Sequence, residues 1–384
     1  MTIHLPFGGS SAARTLNCFG WVKKSENLPK RPAGDAAIEG SMHHEVMEKC
    51  QRQGIKPEDC IGLVYTEDEV TRTFGEDDLN LSNIGYNAIN ALLDEYDIDQ
   101  MEIEPFVQLI EGKAGGSIDF LGLSRDEKTI IVVDYKFGQV VVPIEGNAQL
   151  LSYAASAKAD ASTADLFEKV DKIVIVIVQP RRKGVTFKQD VTPAELEAFR
   201  DKYALAITTA GAPKPAVTPG VWCKFCPAAA YCEERRLNVV ASNLLGKEEL
   251  SQLQAAADVV ADAKAWVKEI EEELYLQISR GVPINGWKLV NKRATRKWID
   301  PTVALKALMK GKKLKKADLH ENKFRTPAQV EKIVKKAGLD IDLTSFIESI
   351  SSGTTIAPSS SDEEAVIVSD VQGHLAEMMD TDGK

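Results

Sequence analysis

The hydrophobic pattern changes period several times along this chain, and each change predicts an element. Between Gly116 and Lys136 (GSIDFLGLSRDEKTIIVVDYK) two apolar runs flank a polar stretch, Ser124–Lys128, which reads as a β-hairpin. Ile130–Val133 is continuously apolar and β-branched, the pattern of a strand covered on both faces. Lys172–Gln179 (KIVIVIVQ) is another strongly apolar strand, and strands are expected over 103–111, 116–123 and 129–136. Helices are expected over 36–53, 82–96, 145–158 and 193–209. Residues 1–35 read as irregular apart from a short element over Ser11–Val22, and 212–220 (APKPAVTPG) as a Pro-rich connector. Further on, a long amphipathic helix is expected over Lys247–Ser279, then a short strand, Trp287–Val290, and small helices to about 350. No internal repeat is visible. Strands mixed with helices predict an α/β core. The expected organisation is a core over 1–240, a helical C-terminal extension over 241–350, and an acidic, disordered tail over 351–384.

Polar residues at the ends of the apolar runs carry the chemistry. Asp119 closes the first run of the hairpin, Asp134 closes the second, and Lys136 follows two positions later. Strand alternation puts Asp134 and Lys136 on one face and Tyr135 on the other. Unpaired buried charges cost several kcal/mol, so an Asp-x-Lys at the end of a buried strand implies partners. Two carboxylates and a lysine at one sheet edge suit a divalent metal, a metal-bound water and a phosphodiester. Glu104, on the preceding strand, is either a further acid near the site or a solvated strand residue.

The pattern resembles the PD-(D/E)XK nuclease superfamily, with Asp119 as its first acid and Asp134-Tyr135-Lys136 as its D-x-K element. Gln149-Leu-Leu-Ser-Tyr153 resembles the Q-x-x-x-Y helix motif of the RecB-type branch. Gly40-Ser-Met-His43-His44 resembles the G-x-x-x-H motif that supplies a metal-binding histidine there, and His43 is the off-by-one alternative to His44. The chain from about 8 to 350 is also similar to a phage-associated nuclease-like family with a helical C-terminal extension. The resemblance implies a restriction-endonuclease-like fold, a mixed central sheet flanked by helices. It implies Mg²⁺ or Mn²⁺ held by His44, Asp119, Asp134 and the backbone carbonyl of Tyr135. Lys136 would orient the attacking water, and Gln149 and Tyr153 would line the cleft and contact the DNA backbone. Imidazole among carboxylates favours Mn²⁺ over Mg²⁺.

Six cysteines in a chain read as cytosolic argue against disulfides, and the spacing Cys223-x2-Cys226-x5-Cys232 reads as metal-binding. Three local thiolates leave a tetrahedral site one ligand short. The split layout, with Cys18 far upstream, resembles the iron–sulfur nucleases of the AddB and CRISPR-adaptation type. That resemblance implies a 4Fe–4S cluster on Cys18, Cys223, Cys226 and Cys232, acting as an iron–sulfur staple between the N-terminal segment and the chain after the core. Structural Zn²⁺ is the alternative, and Cys50 and Cys60 are the alternative ligands.

The 384 residues are 44% hydrophobic with a formal net charge of −10, which argues mildly against nucleic acid as a partner. Basic clusters nevertheless stand at Arg181-Arg182-Lys183 and Lys310–Lys316; the lysine run reads either as a sequence-independent phosphate contact or as a solvated loop, and Arg235-Arg236 as a candidate for DNA contact near the cysteines. Trp222, next to Cys223, is a further candidate for DNA contact near the cysteine site. No membrane span and no signal peptide are read, so a cytoplasmic location is expected, the host cytoplasm if the gene is phage-borne. The reading is a metal-dependent DNA nuclease, an exonuclease by its motifs, in phage recombination or DNA processing. Partners would be DNA, a single-strand annealing protein or helicase, and further copies of the chain. A catalytically silent DNA-binding or assembly subunit and an RNA-directed nuclease are the alternatives.

Overall fold

A computed structural model describes residues 5–367 apart from 29–31, 68, 183, 243–249, 293, 311–313, 315, 320–324, 338, 340, 352 and 360. The chain divides into two units, Met1–Ala263 and Lys264–Lys384. The first begins with β1 (Phe7–Gly8), α1 (Ala12–Asn17), α2 (Trp21–Ser25) and α3 (Asp35–Gln53). A hairpin of β2 (Val64–Glu67) and β3 (Val70–Thr73) leads to α4 (Glu76–Glu95). Then come β4 (Ile98–Ile103), β5 (Phe106–Ile110), β6 (Ala114–Ser117), β7 (Phe120–Ser124) and β8 (Thr129–Tyr135). The segment closes with α5 (Ala148–Ala159), β9 (Lys172–Val178), β10 (Thr186–Val191), α6 (Pro193–Ala210) and α7 (Glu233–Ser242), before α8 (Leu250–Ser279).

The central sheet has the order β10-β9-β8-β7-β4. Its β8 and β9 are parallel and joined across α5, because parallel neighbours need a crossover, while the other pairs are antiparallel. A smaller sheet has the order β1-β6-β5. Alternation sorts the β-branched runs onto two cores. Ile130 and Val132 of β8, with Ile173, Ile175 and Ile177 of β9, pack on α5 through Leu150 and Ala154. Ile131, Val133 and Tyr135, with Val174, Val176 and Val178, pack on α3 and α4 through Met47, Ile89 and Leu92. Each such side chain contributes about 1.5–3 kcal/mol when fully buried, so this register is strongly specified. Asp134 and Lys136 therefore fall on the α5 face and Tyr135 on the α3–α4 face.

Several boundaries differ from the sequence reading. The strand expected over 103–111 is two strands in different sheets, broken at Glu104-Pro105. The strand expected over 116–123 is also two, and Asp119 sits in the two-residue gap between β6 and β7. Helix α4 starts six residues before the expected 82. Its first turn is the acidic run Glu76-Asp77-Asp78, where negative charge favours a helix N-terminus, and the Gly75 N–H donates to Asp78 Oδ2 at 3.0 Å.

The second unit mixes strands with helices, which corrects the expectation of a helical extension. Its β11 (Trp287–Asn291) and β12 (Thr295–Trp298) precede α9 (Pro301–Met309), α10 (Lys316–Leu319) and α11 (Pro327–Lys336). Strand β13 (Ile347–Ile350) pairs with β12, and β14 (Thr354–Pro358) pairs with β11. The last of these falls inside the stretch expected to be tail: its β-branched Thr-Thr-Ile core was masked by the flanking Ser, Asp and Glu. Leu308, Leu319, Val330, Val334 and Leu343 form the apolar centre of this unit.

Candidate active site

The site forms where the central sheet ends against α3 and α5. Asp119 enters from the gap before β7. Its Oδ2 accepts the Tyr135 N–H at 2.6 Å, and its Oδ1 lies 3.2 Å from His44 Nδ1. Asp134 is the last but one residue of β8, with only 5% of its side chain exposed. Its Oδ1 accepts from Gln149 Nε2 at 2.8 Å, and its Oδ2 lies 2.6 Å from Lys136 Nζ. Lys136 is thus the partner of this buried oxygen, and Gln149 of the other. The Lys136 N–H donates to Val178 O at 2.8 Å and extends the β8–β9 ladder by one residue, which fixes the lysine beside the aspartate.

Helix α5 brings Gln149 and Tyr153 to the same face, four residues apart. Gln149 Nε2 also donates to the Tyr153 hydroxyl at 3.3 Å. The Tyr153 ring packs over Gly9, where a Cβ would come within 2.4 Å of it, and alongside Gly116. On α3, His44 faces the carboxylates while His43 turns away. His43 is fully buried, its Nδ1 is 2.8 Å from Ser82 Oγ, and its ring stacks on Phe137. His44 meets Tyr135 and Phe137 edge-on. The Tyr135 hydroxyl accepts from Gln51, on the face opposite Asp134. Donor atoms of His44, Glu104 and Asp119 all lie within 4.8 Å of one another.

Burial and mutual charge set the protonation states. Burial raises Asp134, and Asp119 adds to the rise against the pull of Lys136. Burial would raise Asp119 too, but His44, Lys136 and the Tyr135 N–H outweigh it and hold that carboxyl below its ordinary value. For His44 and Lys136, burial alone would favour loss of the proton, yet the two aspartates overcome it and raise both. Glu104 is pushed up to about 8 by burial and by Asp119. His43 is lowered to about 4, chiefly by burial. A buried pair of carboxylates, an imidazole and a protonated lysine form a centre able to hold a divalent cation against a phosphodiester.

Other residues singled out in the sequence have different places. Arg181, expected on a basic surface, donates from Nε to Phe137 O at 2.6 Å and pairs with Glu39 at 3.0 Å. Arg182 donates to Gln139 O, and Lys183 lies outside the described residues. Gln179, the polar end of its apolar run, clamps Val142 by both backbone groups, at 3.0 and 2.8 Å. Together these residues pin the 137–142 stretch between Lys136 and Gln149. They were missed as positioning residues because nothing local announces their partners. Arg235 is fully buried and paired with Asp262 at 2.8 Å, so it is not a DNA-facing cation. Of the lysine run, Lys312, Lys313 and Lys315 lie outside the described residues.

Cys18, Cys223, Cys226 and Cys232 are all buried and line one cavity with Arg14, Trp21 and Lys24. Backbone N–H groups of Thr218 and Gly220 point at the sulfurs of Cys18 and Cys223, at 3.5 and 3.4 Å. Cys50 and Cys60 sit apart, 3.9 Å from each other in a separate apolar cluster.

A family profile matches residues 4–364, so the chain belongs to DUF2800, described as a protein of unknown function. Among solved structures, it is similar to LHK-Exo in complex with dAMP (12% identity, 52% of this chain and 90% of that chain, TM-score 0.24). It is also similar to an alkaline exonuclease, LHK-Exo, from Laribacter hongkongensis (13%, 52% and 92%, TM-score 0.21). A third similarity is to protein VC1899 from Vibrio cholerae (12%, 53% and 58%, TM-score 0.20). With scores this low, the site geometry carries the functional conclusion.

Proposed function

We propose that this DUF2800 chain is a divalent-metal-dependent DNA nuclease that hydrolyses phosphodiester bonds, with exonucleolytic action best suited to its motifs. The observation that carries the proposal is the convergence of Asp119, Asp134 and Lys136 with His44 and Gln149 at one sheet edge. The donor set fits Mg²⁺ or Mn²⁺: hard carboxylate oxygens and one imidazole gathered at a largely buried sheet edge. Asp119, Asp134 and His44 would hold the ion, with the Tyr135 carbonyl beside them. Bound there, it would polarise the scissile phosphate and make an attacking water more acidic.

The protein's own groups do the rest. Gln149 and Lys136 fix the rotation of the Asp134 carboxylate before substrate arrives, so its orientation costs nothing at the moment of reaction. Lys136 keeps its proton, because its pKa is raised, and so acts as a cation that orients water and offsets phosphate charge. Burial holds the Tyr153 hydroxyl protonated, leaving it able to donate to the DNA backbone beside Gln149.

The second part of the proposal is a 4Fe–4S cluster on Cys18, Cys223, Cys226 and Cys232. The shared cavity and the N–H groups aimed at sulfur support a four-thiolate centre. The split layout, three local cysteines with Cys18 far upstream, favours the cluster, with Zn²⁺ as the alternative. Its role would be to staple the α1–α2 segment to 217–235.

End-labelled linear DNA incubated with Mg²⁺ or Mn²⁺ tests the function. Release of labelled nucleotides, stopped by chelation and absent from closed circles, is the expected result. Intact label with either metal would overturn the proposal.

A further inference from the structure

We infer that Glu104 is a ligand of the proposed metal centre, joining His44 and Asp119 as a three-residue set that no sequence motif of the chain includes. This rests on the metal-dependent reading above and extends it to a residue outside the Asp119, Asp-x-Lys and histidine elements.

Three observations meet at Glu104. One donor atom each from His44, Glu104 and Asp119 lies within 4.8 Å of the others, a spacing one cation can draw together. The Glu104 carboxylate has no hydrogen bond or ion pair among the described residues, although Arg52 is close by on α3. That guanidinium is spent elsewhere: Nε on Glu48 at 2.8 Å and Nη2 on Ile103 O at 2.6 Å. The same centre also holds Asp134, whose side chain is only 5% exposed and is already paired with Lys136 at 2.6 Å. Carboxylates gathered this closely, with one left unpaired, are arranged for a cation rather than for each other.

The backbone fixes where Glu104 stands. Glu104 has φ of +50°, in the left-handed region, directly before Pro105, whose ring restricts the preceding residue to extended conformations. A non-glycine residue held there is strained, and the strain persists only where surrounding contacts impose it. Here the bend separates β4 from β5. It is held by the Glu104 N–H on Asp119 O at 3.3 Å and by Arg52 on the preceding carbonyl. The bend sets the Glu104 carboxylate beside that of Asp119 and the ring of His44.

The test is binding of Mn²⁺ alone, followed by calorimetric titration and by the shift in melting temperature, with the full-length wild type, Glu104→Gln and Glu104→Gly. Both variants should weaken Mn²⁺ binding at least about tenfold and lose most of the metal-induced shift. Glycine suits the left-handed conformation, so metal-free Glu104→Gly should melt no lower than wild type. This separates loss of a ligand from loss of the fold. Equal Mn²⁺ affinity in wild type and both variants would overturn the assignment of Glu104 and leave the nuclease proposal standing. Failure of the wild type itself to bind Mn²⁺ would remove both.

Discussion

Gln149 Nε2 donates to Asp134 Oδ1 at 2.8 Å and, from the same nitrogen, to the Tyr153 hydroxyl at 3.3 Å. The crossover helix thus holds the orientation of a carboxylate at the end of the strand before it. Gln149→Ala should lower the hydrolysis rate by about 10–100-fold, the usual cost of losing a group that orients a metal ligand. Thermal melting should change little. Rates at saturating metal beside a melting curve check this, and an unchanged rate would remove the positioning role.

The smaller sheet depends on a close backbone approach at Gly115. A Cβ there would stand 2.1 Å from Val107 O, with φ at +153°. Gly115→Ala should cost at least about 2 kcal/mol of stability. Urea denaturation measures it, and a loss below half that size would mean that β5 and β6 give way easily.

The four-thiol cavity and the Cys50–Cys60 pair should respond differently. Cys226→Ala should lower bound metal and the melting temperature together, because a structural site contributes its binding energy to folding. Cys60→Ala should leave metal content unchanged. Elemental analysis with a visible absorption spectrum separates iron from zinc, and metal retained in Cys226→Ala would contradict the ligand set.

Acid should weaken the first unit through Asp78. Burial alone would raise this carboxyl, but the Gly75 N–H and the Arg72 guanidinium at 2.8 Å hold it below its ordinary value. A carboxyl depressed in the folded state stabilises fully above its unfolded value, near about 3.9, and loses that contribution as pH falls through the folded one. Asp78→Asn should therefore cost roughly 1–2 kcal/mol at neutral pH and nothing in strong acid. Denaturant midpoints against pH check the convergence, and parallel curves would argue against it.

Some of this was legible in the sequence because the signal is local. Ile130–Val133 and Lys172–Val178 are apolar on both faces, so their strands and the facing of Asp134 and Lys136 followed from period alone. Asp119 was harder: the run from Gly116 to Leu123 reads as continuous, yet the two halves join different sheets. Glu104 carries no local mark of its positive φ, since Pro105 predicts an extended residue before it. Arg181 and Arg235 read as surface cations, because their partners, Glu39 and Asp262, lie far off in sequence. Short strands such as β2 and β14 fell below what a periodicity of two can show in so few residues.

The central claim is hydrolysis at Asp119, Asp134 and Lys136, and the most direct test compares wild type with Asp134→Ala. Linear DNA with Mn²⁺ should be degraded by the wild type, and chelation or the substitution should reduce the rate by about a thousandfold or more. Equal degradation by Asp134→Ala, or DNA binding by the wild type with no hydrolysis in either metal, would contradict the account.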